Sequence, residues 1–358
     1  MSIKVKFSEV QQSNLSKVDF DNLPFGKTFT DYMFEIDYIS GEWVNPSVKP
    51  VQMLDIHPGN MAWHYGQSIF EGMKATKSKD GVPLLFRPDL HAKRLNKSAR
   101  RMCMPEIPEQ MFLDAVHTLV NLERAWIPPH KGSAMYIRPF MFATDNTIGV
   151  RASDNYKFII FTMPVGPYYN HPVSLWAQDE YFRAVVGGVG EAKTAGNYAA
   201  SLYPAAMAKK LGYDQVMWLD AVHKRYVQEV GTMNIFFVVD DEICTPNLDG
   251  AILAGITRDS VLKIYREKGY RVSERPVDIH EIVDAAKSGS LKEIFGTGTA
   301  AVVANVNKFM YKDEEFLLDP KNYNYSVEAK EIINSIREGS HEDTFNWLVP
   351  AECKFEWI

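Results

Sequence analysis

Lys193 is the residue of this sequence best placed to do chemistry. It stands in Gly187-Gly188-Val189-Gly190-Glu191-Ala192-Lys193-Thr194-Ala195-Gly196-Asn197-Tyr198, with three glycines before it and a fourth after. Glycine has no Cβ, so such a run can turn sharply or pass close to a ligand. A lysine carried by that turn into a walled site loses water, and a free amine is a nucleophile toward carbonyls. Two other readings compete. One is a solvated surface loop. The other is a phosphate-binding P-loop, because apolar Ala184-Val185-Val186, the glycines and Lys-Thr have the outline of strand, loop and helix. Val216-Met217-Trp218-Leu219-Asp220 would then supply a magnesium-binding aspartate. A P-loop needs glycine before its lysine, and Ala192 occupies that position.

Further groups match a particular chemistry. Glu229 ends an apolar strand (Arg225 to Val230) and enters the turn Gly231-Thr232-Met233-Asn234, and a carboxylate in such surroundings needs a cationic or protonated partner. Tyr136 and Arg138 alternate onto one face of the strand Ser133 to Phe140, where they can clamp a carboxylate. Arg94 falls on the apolar stripe of a helix begun by Pro88-Asp89, with Leu90, Leu95, Ser98, Ala99 and Met102, and there it needs an anion. Leu253-Ala254-Gly255-Ile256-Thr257-Arg258 opens a helix closed by Gly269, and its first N–H groups form an anion site. Phe295-Gly296-Thr297-Gly298-Thr299-Ala300 is a second run able to present N–H groups to an anion.

The elements that must carry these groups are partly legible. Phe25 to Phe34 reads as a strand, Trp43 to Pro50 as a loop, and Met61 to Ala75 as a core strand in which Tyr65 and Phe70 wall an apolar pocket. Gln110 to Ala125 is an amphipathic helix and Lys157 to Val165 a buried strand. Pro164 to Pro172 is rich in Pro and Gly and reads as an interdomain linker, giving domains at 1–166 and 176–358 joined by 167–175. Asn197 to Leu211 is a helix capped by Gly212, with Pro204 near its first turns or kinking it.

Bulk properties narrow the class. The chain has 358 residues, 46% hydrophobic and 23% charged, and a net charge of -6. It is long enough for two domains and has no general attraction for nucleic acid or anionic membrane. No apolar run approaches a membrane span, and Met1 to Glu9 lacks the apolar core of a signal peptide, so a cytoplasmic protein is expected. Cys103, Cys244 and Cys353 suggest neither a disulfide framework nor a metal site.

One cofactor needs a nucleophilic lysine, a phosphate cradle and a carboxylate facing a ring nitrogen: pyridoxal 5′-phosphate. Lys193 would hold it as a Schiff base and later act as the base at the substrate's Cα. Glu229 would keep the pyridine nitrogen protonated, and Tyr198 would meet the phenolic oxygen.

With these residues in place the chain resembles the branched-chain-amino-acid aminotransferases, specifically the longer eukaryote-like subgroup. The likeness runs from Phe25-Gly26-Lys27-Thr28-Phe29-Thr30-Asp31 through Phe70-Glu71-Gly72, Tyr136-Ile137-Arg138-Pro139, Val165-Gly166-Pro167-Tyr168, Lys193 with Gly196-Asn197-Tyr198, Glu229 to Asn234 and Gly255-Ile256-Thr257-Arg258 to Phe295-Gly296-Thr297-Gly298-Thr299-Ala300. It implies an α+β (mixed α/β) fold of type IV, with a small N-terminal domain and a larger C-terminal one built on a pseudo-barrel of strands. It implies Lys193, Tyr198 and Glu229 on the cofactor, with Arg94, Ile256, Thr257 and Thr299 on its phosphate. It sets Phe25, Tyr65, Phe70, Tyr136, Arg138, Val150, Tyr168, Thr232, Met233 and Ala300 around the substrate, some of them supplied by the partner in a homodimer. The implied reaction exchanges the amino group of L-leucine, L-isoleucine or L-valine with 2-oxoglutarate. One methylene in an apolar slot discriminates by only about 1–3 kcal/mol, so activity on all three is expected. D-amino-acid aminotransferases and aminodeoxychorismate lyases share the lysine and glutamate, but Tyr136-Ile137-Arg138 and Gly231 to Asn234 favour the branched-chain group. The redox CxxC of mammalian relatives is replaced by Ala301 and Ala304, so a thiol switch at that site is not expected.

Overall fold

The computed structural model describes Lys4–Ile358; Met1–Ile3, part of the stretch read above for a signal peptide, lie outside the described residues. The chain forms two compact units. The first takes the chain up to Tyr168, the four residues Ala192–Ala195 and the segment Asn334–Ile358; the second takes Tyr169–Glu191 and Gly196–Ile333. The first unit therefore holds more of the chain than the second, and Lys193 belongs to it.

The first unit is built on a mixed sheet in the order Leu348–Pro350, Pro83–Phe86, Met73–Lys77, Ala134–Ala143, Tyr156–Val165, Tyr32–Ile39, Glu42–Pro50, Lys4–Phe7 and Glu356–Trp357, with Ser68–Phe70 also paired to Ala134–Ala143. Helices Pro88–Arg101 and Glu109–Leu122 contribute Leu95, Ala99, Phe112 and Leu119 to the same core as Phe34, Phe158 and Ile160 of the sheet. Pro88 occupies the first turn of its helix, where a missing N–H costs nothing, and Asp89 faces the positive end of the dipole.

Three local expectations are corrected. Residues 42–50 are a strand rather than a loop, since their prolines fall where the ladder permits them. Asn45, at φ 57°, and Pro46 lie where the register with Tyr32–Ile39 shifts, a bulge that spares a ladder hydrogen bond. The strand expected from Phe25 begins only at Tyr32, because Phe25-Gly26-Lys27 is a turn with Gly26 at φ 77°. Residues 61–75 are a short helix, Met61–Tyr65, capped by the Asn60 side chain and by left-handed Gly66, followed by strands Ser68–Phe70 and Met73–Lys77.

In the second unit, the strands Met233–Val239, Leu291–Gly298, Val302–Tyr311, Val173–Gln178, Gln215–Leu219 and Tyr226–Val230 pair in that order. A further pairing of Tyr226–Val230 with Met233–Val239 closes these six into a ring, the expected pseudo-barrel. Met217, Leu219, Val230, Ile235, Phe237, Ile294 and Phe309 are part of its core. Buried Glu293 accepts the N–H groups of Asn324, Tyr325 and Ser326 at 2.8, 2.8 and 3.0 Å, fixing the start of helix Tyr325–Arg337. No strand leads directly into the glycine run: residues 179–194 are irregular, with Val185 and Val186 exposed, so the P-loop outline fails at its first element. The following helix starts at Ala195 and runs to Lys210 through Pro204, which is thus interior and buried rather than near the first turns. Among the described residues no helix is long and apolar enough to cross a membrane.

The segment that leads from Phe25 to the sheet is anchored by a buried carboxyl, Glu123, which accepts from the Tyr32 N–H, while neighbouring Asp31 takes the Trp126 Nε1–H at 3.1 Å. Burial pushes the Glu123 carboxyl up to about 8, against the Tyr32 N–H and with the help of the Asp31 charge. A carboxyl that keeps its proton to about pH 8 when folded, but releases it near 4.5 when unfolded, stabilises the fold fully below pH 4.5; that stabilisation fades as the pH rises to 8. Glu123→Gln, which keeps the shape of the protonated group, is expected to flatten the decline in melting temperature across this window. A wild-type and a variant profile of equal slope would contradict the shift.

Candidate active site

Lys193 is held by its backbone. Its N–H donates to Ser98 Oγ at 2.9 Å, and its carbonyl accepts from the Phe70 N–H at 3.0 Å. Thr194 bridges to Ile69 and donates its hydroxyl to the Ser68 carbonyl at 2.7 Å. The lysine segment thus lies along the short strand Ser68–Phe70, and Nζ sits 4.9 Å from the Phe70 ring centroid. Arg138 meets the same ring: its guanidinium carbon lies 4.5 Å from the centroid, and its Nη2 donates to Tyr136 Oη at 3.4 Å. Alternation along Ala134–Ala143 puts these two side chains on one face, as the sequence implied. Arg138 Nε is buried without a hydrogen-bond partner, which marks a place for an anionic or carbonyl oxygen.

Phe25 meets both Tyr136 and Tyr168 edge-on, each at 5.1 Å, so residues distant in sequence form one aromatic cluster. Burial, then the nearby Tyr136, pushes the Tyr168 phenol upward. Gly72 is required here: a Cβ at that position would lie 2.0 Å from Tyr136 Oη. Tyr65 closes the Met61–Tyr65 helix at 37% exposure, and Val150 is 90% exposed in the connection between Ala134–Ala143 and Tyr156–Val165.

Arg94 is almost buried, as its helical stripe predicted. Its Nε and Nη2 donate to the two oxygens of Glu71 at 2.7 and 2.8 Å, and His91 Nδ1 lies 2.7 Å from Glu71 Oε2. Burial alone would push the fully enclosed Glu71 carboxyl up; the Arg94 guanidinium and then His91 outweigh it and hold it far below the usual carboxylate range. Burial pushes His91 below its ordinary value, against the pull of Glu71 and with the Arg94 and Lys193 charges adding to the shift. Neither Glu71 nor His91 was read as part of the site, although His91 and Arg94 are three apart on one helix and Glu71 lies inside the Phe-Glu-Gly motif.

In the second unit Glu229 is 3% exposed on strand Tyr226–Val230. Its Oε1 accepts from the Leu253 N–H at 2.7 Å and pairs with Arg183 Nη2 at 3.3 Å. Arg183 also donates to the carbonyls of Gly190 and Ala251, and a Cβ on Gly190 would meet the Ala251 oxygen at 2.2 Å. Sequence reasoning missed Arg183 because its segment has no periodicity to read. Asn234, opposite Glu229 in the ladder, donates to the Leu253 carbonyl at 2.9 Å, and its Oδ1 fills the space a Gly255 side chain would need. Gly255 caps helix Ile256–Glu267, whose first residues are the buried Ile256 and Thr257. Met233 lies over Gly296 and Gly298, whose missing Cβ atoms make room for it; Thr232 is exposed in the adjoining turn. Thr299 and Ala300 form the turn after Leu291–Gly298, and Thr297 Oγ1 is buried without a hydrogen-bond partner. Tyr198 lies in the first turn of Ala195–Lys210.

The donor set fits a phosphorylated pyridine aldehyde. An amine rests against an aromatic ring, and an arginine with buried acidic support can meet a phosphate. The second unit holds a buried carboxylate with its own arginine, a helix N-terminus and a Gly/Thr turn.

The family described as amino-transferase class IV matches residues 68–309, the span that holds both Lys193 and Glu229. The chain is 48% identical over 339 residues to branched-chain-amino-acid transaminase 1 of Bacillus subtilis, covering 93% of this chain and 95% of that one. The branched-chain amino acid aminotransferase structure from Escherichia coli superposes with a TM-score of 0.73 at 25% identity, covering 91% of this chain and all of that one. A second solved branched-chain amino acid aminotransferase, from T.th. and with pyridoxamine 5′-phosphate, gives a TM-score of 0.70 at 26% identity, covering 88% of this chain and 98% of that one. The chain belongs to the branched-chain-amino-acid aminotransferases of class IV.

The Glu71 cluster sets a stability prediction. Removing one partner of a buried charge pair strands the other, at a cost of about 3–5 kcal/mol. Glu71→Ala is expected to lower the denaturant midpoint accordingly, whereas Lys93→Ala, in an exposed pair with Asp89, changes it by less than about 1 kcal/mol.

Proposed function

We propose that this protein moves the amino group reversibly between L-leucine, L-isoleucine or L-valine and 2-oxoglutarate, with Lys193 as its catalytic residue. The observation that carries the proposal is the Phe70 ring, which has Lys193 Nζ at 4.9 Å and the Arg138 guanidinium at 4.5 Å. A proton-carrying amine and a carboxylate-binding group thus share one aromatic wall. The cofactor is pyridoxal 5′-phosphate, which supplies an electron sink for the charge left when the substrate's Cα proton departs.

The remaining work belongs to side chains of this chain. Lys193 Nζ would carry the proton between the substrate's Cα and the cofactor's C4′, and the main-chain bonds to Ser98 Oγ and from the Phe70 N–H keep its backbone from drifting as it does so. Arg94 meets the phosphate with its charge supported by Glu71, together with Ile256, Thr257 and Thr299. Glu229, steadied by Arg183 and the Leu253 N–H, faces the ring nitrogen, and Tyr198 the phenolic oxygen. Phe25, Phe70, Tyr168, Met233 and Ala300 give the apolar slot that a branched side chain fills. Tyr136 and Arg138 accept the second carboxylate of 2-oxoglutarate without charging the whole slot. Thr232 lies at the rim. Exposed Tyr65 and Val150 suit residues that a homodimer would present to the partner's site. The proposal includes that homodimer and a cytoplasmic location.

The direct test is the absorbance of the holoprotein near the blue edge of the visible. L-leucine is expected to bleach the band and 2-oxoglutarate to restore it, while Lys193→Ala does neither. A band that responds to D-alanine but not L-leucine would move the chain to the D-amino-acid branch. The rim has its own test. Tyr136→Phe removes one hydrogen bond, worth about 1 kcal/mol, so KM for 2-oxoglutarate should rise about fivefold with KM for L-leucine little changed. Gly72→Ala, which expels the Tyr136 ring, should raise it further.

A further inference from the structure

The second unit contains a cavity of about 310 Å³ that the reaction does not use. Its wall includes Val185, Val186, Val222, Gln228 and Ile252, with Asp220 and Asp249 also lining it. The exposed lining is mainly apolar, and among its polar members Gln228 stands out. Gln228 is 3% exposed, and its Oε1 is buried without a hydrogen-bond partner. An amide oxygen left so costs free energy that a donor on a ligand would recover. Asp220 offers no such opening, because its oxygens accept the N–H groups of Val222, His223, Arg225 and Tyr226.

The cavity's place in the fold gives it a use. Gln228, next in sequence to Glu229, is the extra residue of a bulge where the pairing of Tyr226–Val230 with Gln215–Leu219 shifts register. Ile252 lies between Ala251, whose carbonyl accepts from Arg183, and Leu253, whose N–H donates to Glu229. Val185 is two residues beyond Arg183. Each member of the Glu229–Arg183–Leu253 network therefore has a close chain neighbour in the cavity wall.

We propose that this cavity binds a small uncharged molecule with an apolar body and an amide- or hydroxyl-type donor, and that the bound molecule acts on Glu229 through these chain neighbours. The two aspartates disfavour an anion, so the carboxylate substrates themselves are not its ligands. The action on Glu229 rests on the role given to that residue above; binding to the cavity does not.

The experiment uses holoenzyme and two probes of nearly equal shape, benzamide and benzoate, followed by calorimetric titration. Benzamide is expected to bind saturably and benzoate at least tenfold more weakly. Val222→Trp, a change at a 70% exposed position that fills the cavity, should weaken benzamide at least tenfold. Gln228→Leu should weaken it about fivefold, the value of one hydrogen bond. Absence of saturable binding, or equal affinity in wild type and Val222→Trp, overturns the site. Benzamide is also expected to shift the cofactor's absorbance band in wild type and not in Val222→Trp. Binding that leaves the band unmoved, while Glu229→Gln moves it, overturns the action on Glu229. If Glu229→Gln leaves the band unmoved as well, the role of Glu229 fails instead.

Discussion

The chemistry proposed for this protein depends on a lysine that is fixed through its peptide groups. A long side chain on a glycine-rich segment would sample many positions, and ordering it costs entropy. Here that cost is met by tying residues 192–195 to the strand Ser68–Phe70 through main-chain bonds and by Ser98 on the neighbouring helix. The strand that receives the lysine carries Phe70, and Phe70 faces Arg138. Position of the amine and position of the anion clamp are therefore set by one element. The glycines before Lys193 let the chain reach it: at Gly190 the backbone passes so near Ala251 that no side chain fits.

Charge is handled differently in the two units. In the first, Glu71, His91 and Arg94 form a buried group in which the arginine's charge is matched before any ligand arrives. In the second, Glu229 is matched by Arg183 and a peptide N–H. Both follow from the cost of an isolated charge in an apolar interior. Each charge proposed to face the ligand comes with a supporting group from the same unit.

The sequence made the ligand-facing members visible and hid their supports. Lys193, Arg94 and Glu229 each broke a pattern that could be seen: a glycine run, a helical stripe, a strand's apolar alternation. Arg183 sits in an irregular segment with no pattern to break. The strand at 42–50 was hidden by two prolines: Pro50 ends the strand, and Pro46 is tolerated at a bulge that only the pairing with Tyr32–Ile39 reveals. Pro204 lies within a helix that begins two residues earlier than expected, and nothing in the structure explains why a proline is there. The aromatic cluster of Phe25, Tyr136 and Tyr168 joins three separate stretches, a relation that no local period contains.

The first sheet ends on one side at Leu348–Pro350 and on the other at Glu356–Trp357. Both borders thus come from one short stretch that follows every other described strand in the sequence and takes about a second to make at ordinary elongation rates. Until then Pro83–Phe86 and Lys4–Phe7 present open edges, the surface by which strands of different chains join. The nascent protein therefore passes through a stage in which the strands of its second unit are all made while the first unit remains adhesive. Pairing of residues 348–357, rather than of the lysine segment, is the event that finishes the sheet on which Lys193 rests.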